Sequence, residues 1–157
     1  MSTSLPLLTA DVDGGLARRT AFVYAVYAPE YRMVYVGQTM AREGALQRLT
    51  QHLSEGDSNT FRQRVRQLLD LEDAPFGRVH FAAVPLDAQR YGLQSYREAV
   101  EIGVQRELRR RVSAGAVRAG LVARVRSNGY VDLGPVRSDA EAIGAAMYRW
   151  FVSVADD

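Results

Sequence analysis

Tyr24 and Tyr35 stand on two consecutive β-forming segments, Phe22-Val23-Tyr24-Ala25-Val26-Tyr27 and Val34-Tyr35-Val36-Gly37. Adjacent antiparallel strands can bring two such phenols near one another. Gly37-Gln38-Thr39 follows, and a glycine there lets the chain turn out of a strand and approach a ligand closely. Arg48 and His52 are four residues apart, so a helix presents both on one face. Further along, Glu101 lies four residues before Gln105, with Glu98 and Glu107 on the same segment. All 20 basic residues are Arg, with no Lys. The planar guanidinium fork binds phosphate bidentately, so phosphate is the ligand this set of side chains suits.

The elements that must position these groups follow from hydrophobic period. Residues 1–19 read as an N-terminal tail of Ser, Thr, Pro and a Gly-Gly pair. From Thr20 the chain predicts a strand apolar on both faces, a connector Ala28-Pro29-Glu30-Tyr31-Arg32, and a second strand from Met33 to Gly37. The short connection implies an antiparallel hairpin. A helix is expected over Gly44 to Ser54 with Leu46, Leu49 and Leu53 on one face. Gly56-Asp57-Ser58-Asn59 breaks it, and Ser58 or Asn59 is expected to cap a second helix from Thr60 to about Leu71 with Phe61, Val65, Leu68 and Leu69 inward. Arg78 to Val84 alternates as a third strand, with His80 a packed or strand-surface histidine. A long helix runs from Gln89 to about Ser113, its start delayed by Gly92, with Val100, Val104, Leu108 and Val112 at four-residue spacing. Leu121 to Val125 and Gly129 to Leu133 suggest a small hairpin about Ser127-Asn128-Gly129. Ser138-Asp139-Ala140-Glu141 matches a capping box for a last helix carrying Ile143, Met147, Trp150 and Phe151. The expected class is α+β, a small three-stranded antiparallel sheet flanked by helices, in one domain over 20–157 with a core at 20–112 and a C-terminal helical extension at 113–157.

Composition narrows the classes. The chain has 157 residues, enough for one domain with a real core. No apolar run reaches the roughly 18 residues of a membrane span, so no membrane association is expected. There is no basic segment leading into an apolar run at the N-terminus, so no secretory signal is expected. With 0 Cys, disulfides and thiolate metal sites are excluded, which fits a reducing, cytoplasmic setting. The net charge of +2 singles out no partner.

The two strand motifs, Phe22 to Tyr27 and then Val34-Tyr35-Val36-Gly37-Gln38-Thr39, resemble the paired motifs of the GIY-YIG nuclease superfamily. Arg48, then a Glu on a helix beyond a third strand, continues the same order, over about residues 20–112. Phe22 replaces the first glycine of the family's opening triplet, and the best candidate for the family's later Asn, Asn128, comes late and in a turn context. The resemblance implies a DNA endonuclease using one divalent cation, Mg²⁺ (or Mn²⁺). By position Glu101 would be the metal ligand, with Glu98 the second choice and Glu107 the third. Arg48 would stabilise charge on the phosphoryl oxygens, and Tyr24 would assist deprotonation of the attacking water. A free phenol has a pKa near 10, so Tyr24 would need a depressed pKa or a proton relay, in which His52 is the natural member. Tyr35 would hydrogen-bond within the site. Gly37, Gln38, Thr39, Arg62, Arg66 and Asn128 are the expected substrate contacts. The Arg48/His52 pairing looks like that of the family's restriction-enzyme branch, which implies restriction or phage defence. A structure-specific repair or recombination nuclease and a non-cutting nucleic-acid or protein binding module are the alternatives. Because one active site cuts one strand, double-strand cleavage would require a homodimer or two sequential events.

Overall fold

A computed structural model describes residues 11–54, 60–115, 117–122 and 127–155. The proposed caps Ser58 and Asn59, most of the N-terminal tail, and Ala123 to Val125 of the proposed hairpin lie outside them.

Strand β1 (Ala21–Ala28) is the middle of the sheet, flanked by β2 (Met33–Thr39) on one side and β3 (His80–Leu86) on the other, both antiparallel. Every β1 residue is buried, which is why its sequence shows no polar alternation. The β1–β2 connection is a short 3-10 turn, Pro29–Tyr31, closed by Arg32 in the left-handed region (φ 49°). The Glu30 carboxylate accepts from the Gly77 and Arg78 amides, and Tyr31 donates to the Pro75 carbonyl at 2.8 Å, tying the approach to β3 onto this turn.

Among the described residues the sheet is four-stranded and mixed, not three-stranded and antiparallel. Strand β4 (Gly120–Val122) pairs parallel with the outer edge of β2, through Met33↔Gly120, Val34↔Leu121 and Tyr35↔Val122. A parallel pair needs a long crossover, and the chain between β2 and β4 provides it. Periodicity over three residues carries no such signal, and the proposed local hairpin does not form: Gly129 to Leu133 is turn.

Two layers cover the sheet. On one face Val23, Ala25, Tyr27, Val34 and Val36 pack on helices α4 (Gln94–Ala114) and α5 (Gly134–Ala155). On the other, Tyr24, Val26 and Ala28 meet Phe61 and Val65 of α2 (Thr60–Leu69). Helix α1 (Gly44–Leu53) flanks this second face, and a single helical turn, α3 (Ala88–Tyr91), precedes α4. Asp87 caps α3 by accepting from the Gln89 amide, and Gly92 and Leu93 separate α3 from α4, the break Gly92 led us to expect.

Three further expectations change. Helix α1 buries Gly44, Ala45 and His52, while Leu46 and Leu49 are half-buried and Leu53 is 51% exposed, so the leucine face is not the one that faces inward. Helix α2 buries only Phe61 and Val65, leaving Leu68 exposed. Helix α5 starts at Gly134 rather than at the Ser138 box, because Pro135 pre-sets the helical φ in the first turn where its missing amide costs nothing.

Helix α5 is part of the core rather than an appendage. Phe151 is fully buried and packs edge-on to Tyr27, with ring centroids 4.9 Å apart. Phe151→Ala is expected to lower unfolding free energy by about 3–5 kcal/mol in a denaturant titration; a loss below about 1 kcal/mol would mean that the helix is not integral to the fold.

Candidate functional site

The antiparallel register places Tyr24 directly across from Gly37, and Tyr35 across from Val26. Tyr24 and Tyr35 are thus diagonal neighbours on one face of the sheet, with ring centroids 6.2 Å apart. Gly37 explains the arrangement. It lies within β2 and makes no sharp exit there; the strand continues to Thr39. A Cβ on Gly37 would stand 2.5 Å from the Tyr24 hydroxyl and 2.9 Å from the Tyr35 ring. The bare backbone is the space in which the Tyr24 phenol lies.

His52 reaches the same place from α1. Its Nε2 is 3.1 Å from the Tyr24 hydroxyl, a buried contact, and its ring centroid is 5.0 Å from that of Tyr35. Phe61 of α2 closes the group, 5.7 Å from Tyr35 and 6.2 Å from His52, centroid to centroid. Phe81 of β3 stacks under Tyr24 at 5.6 Å.

Above this aromatic floor is an open cleft of about 330 Å³. It is lined by Tyr24, Tyr35, Arg48 and His52 together with Glu98 and Glu101 of α4. Arg48 donates from Nη1 to Gln51 at 2.7 Å, while its Nε is buried with no hydrogen-bond partner among the described residues. Glu101 accepts from Gln105 Nε2 at 3.0 Å, and the same Gln105 nitrogen donates to the Val36 carbonyl. This buried amide fixes Glu101 relative to β2. Glu98 accepts from Gln94 at 2.9 Å. Arg97 donates to Gln38 and to the Tyr91 and Gly92 carbonyls, and so joins the end of β2 to the start of α4.

Glu107 is elsewhere. Arg110 and Arg111 clamp its carboxylate at 2.6–2.8 Å and hold it well below the usual carboxylate range, at about 2. Its methylenes pack where a side chain on Gly144 of α5 would have to go, so it serves the α4–α5 contact.

The other expected contacts divide. Gln38 and Asn128 line the cleft. Asn128 is also the turn residue its context suggested: it donates to the Ser95 carbonyl and accepts from the Tyr130 amide, pinning its loop to the first turn of α4. Thr39 is buried and accepts from the Ala41 amide, closing the end of β2 rather than facing the cleft. Arg62 pairs with Asp73 at 2.8 Å, and Arg66 is exposed; neither lines the cleft. Arg64, between them, does, as do Gln51, Thr60, Gln94 and Ser127. The phase of α2 puts Arg62 and Arg64 on opposite flanks of the Phe61/Val65 stripe, so only the packing selects between them.

The phenols are held neutral. Burial, then the adjacent Tyr35, pushes Tyr24 well above the ordinary phenol range; Arg48 opposes this and Glu101 adds to it. Burial, then Glu101, raises Tyr35, against Arg64 and Arg48. Tyr24 therefore lacks the depressed pKa that the resemblance called for, and its hydroxyl meets His52 Nε2 instead.

Among the described residues no group of three or more His, Asp or Glu could hold a metal ion. The carboxylates lining the cleft are Glu98 and Glu101, a pair that suits a hard cation such as Mg²⁺, which keeps several waters and takes one or two carboxylates. It does not suit a structural zinc site, which takes four protein ligands. No described helix is long and apolar enough to cross a membrane. No family model matches the chain, and comparisons with curated proteins and with solved structures return no match.

Gly37→Ala is expected to cost about 1–3 kcal/mol, because the Tyr24 ring must move within a packed face; an unchanged denaturation midpoint would show that the phenol does not rest on Gly37. Stability should also fall with alkali. Because the native phenols of Tyr24 and Tyr35 titrate above their unfolded value near 10, and Tyr91 near 12, the folded state retains protons that the unfolded chain releases. Their contribution is intact below about pH 10 and is lost above it. Denaturation midpoints should decline above that pH, and less steeply in Tyr24→Phe; equal slopes would contradict the assignment.

Proposed function

We propose that this chain is a metal-dependent DNA endonuclease of the GIY-YIG type, hydrolysing phosphodiester bonds with Glu101 as the protein ligand of Mg²⁺ (or Mn²⁺) and Glu98 beside it. The observation that carries the reading is the single cleft shared by Tyr24, Tyr35, Arg48, His52 and Glu101, residues from β1, β2, α1 and α4 whose chain order follows that superfamily. The ion, when bound, supplies polarisation of the scissile phosphate and charge stabilisation at the leaving oxygen.

The rest is the work of the chain's own groups. Arg48 is oriented by Gln51, and its buried Nε lacks an acceptor among the described residues. A phosphoryl oxygen would satisfy it, and the bond strengthens as negative charge builds there. Neutral Tyr24 takes a proton from the attacking water as it passes its own to His52 Nε2, 3.1 Å away. The relay needs the His52 tautomer with Nε2 unprotonated, and no free phenolate at any point. Tyr35 packs against the Tyr24 and His52 rings and limits how far either can swing. Double-strand cleavage would then take a homodimer or two successive nicks. The Arg48/His52 pair favours restriction or phage defence over structure-specific repair.

Incubation with plasmid and linear DNA in Mg²⁺ tests the assignment. Glu101→Gln should abolish cleavage. Arg48→Ala is expected to lower the rate about 10²–10³-fold. His52→Ala and Tyr24→Phe should each lower it about 10²–10⁴-fold, and together no more than either alone, as members of one relay. Cleavage undiminished in Glu101→Gln, or absent from the parent protein on every DNA form, would refute the reading.

A further inference from the structure

Helix α2 carries Arg62, Arg64 and Arg66, and the structure treats them differently. Arg62 is tied to Asp73 and Arg66 is exposed, whereas Arg64 is half-buried at the cleft wall. Arg64 has no ion pair and no hydrogen bond among the described residues. Its guanidinium nitrogens stay open at the cleft, and a bound anion is the charge-assisted acceptor that the described residues do not supply.

Its position is fixed by packing. Phe61, fully buried, packs on Tyr35 and His52 and so sets the phase of α2. That phase turns Thr60 and Arg64, four residues apart and therefore on one helix face, toward the cleft. Arg48 of α1 and Arg64 of α2 line the same cleft beside Tyr24 and Tyr35. Glu98 and Glu101 line it too, so α1 and α2 contribute its guanidinium groups and α4 its carboxylates.

We propose that Arg64, with the Thr60 hydroxyl beside it, forms a second phosphate subsite, which holds the backbone phosphate next to the one engaged by Arg48. This rests on the nuclease reading for the identity of the ligand as a DNA strand, but it is a claim about binding and does not need cleavage. The contact is to the backbone and is therefore indifferent to base sequence. Its role is to hold the strand in register across the cleft.

The experiment measures affinity for a fluorescein-labelled DNA duplex by anisotropy, with EDTA present, across a series of salt concentrations. The proteins are Glu101→Gln and the same variant carrying Arg64→Gln, Arg64→Lys or Arg149→Gln. Arg149 is exposed on α5 and serves as the control for loss of one charge. Arg64→Gln is expected to weaken binding about tenfold and to make the slope of log K against log salt less negative by about 0.9, the loss of one phosphate contact. Arg64→Lys should keep the slope, and Arg149→Gln should change neither quantity. Thermal melts show that each variant is folded. An Arg64→Gln slope equal to that of the parent, an equal loss in Arg149→Gln, or no DNA binding at all would overturn the subsite. Arg64-dependent binding by a protein that never cuts DNA would retain the subsite and remove the nuclease reading. Glu101-dependent cleavage with Arg64→Gln binding unchanged would do the reverse.

Discussion

The burial of β1 on both faces is the constraint from which the rest follows. Successive side chains on a strand alternate between faces, so residues 21, 23, 25 and 27 belong to the α4–α5 layer while 24, 26 and 28 belong to the layer that holds the cleft. A slip of one residue would exchange the two sets, sending Tyr24 into the large core and Val23 under the cleft. The register is pinned on both sides of β1, by β2 and by β3. Helix α4 then reads the same geometry from outside. Its Val100, Val104 and Leu108 are buried against the sheet, and Glu98 and Glu101, on the adjoining stripe, emerge at the cleft.

The cleft is polar above and aromatic below. Phe81, Phe61 and the two tyrosines exclude water from beneath His52, while guanidinium and carboxylate groups stand at the rim. In such a setting the phenols resist ionisation and hydrogen bonds between neutral groups gain weight. The charged groups of the lining are Arg48 and Arg64, from α1 and α2, and Glu98 and Glu101, from α4. A ligand that carries negative charge and brings a cation matches both pairs at once.

Two polar ties hold the halves of the cleft together. Gln105, buried in α4, binds both Glu101 and the Val36 carbonyl, and Arg97 joins Gln38 to the carbonyls where α3 gives way to α4. Each crosses from helix to strand, so the carboxylates and the phenols keep a set separation. The Gln105 tie is buried and is costly to break, because its partners are left without water.

Much of this was legible in the residues. The double-sided apolar run of β1, the short connection to β2, the i, i+4 pairing of Arg48 with His52 and the valine spacing of α4 are local patterns, and local patterns are set by helix and strand period. The α+β class and the order of the elements through α4 follow from them. What local pattern cannot contain is contact between distant segments. Three residues of β4 join β2 across a long crossover, which no window detects. Gly37 proved to be room for a phenol rather than a turn, a role visible only once Tyr24 is known to lie opposite it. Whether Glu98, Glu101 or Glu107 faces the cleft depends on where α5 and β2 approach α4, and whether Arg62, Arg64 or Arg66 does so depends on which flank of Phe61 meets α1. The sequence by itself determined the elements and the kinds of side chain they carry, because period and propensity act over a few residues. Tertiary packing alone decided which of those side chains share one cleft, because that choice is made by the burial of surfaces far apart along the chain.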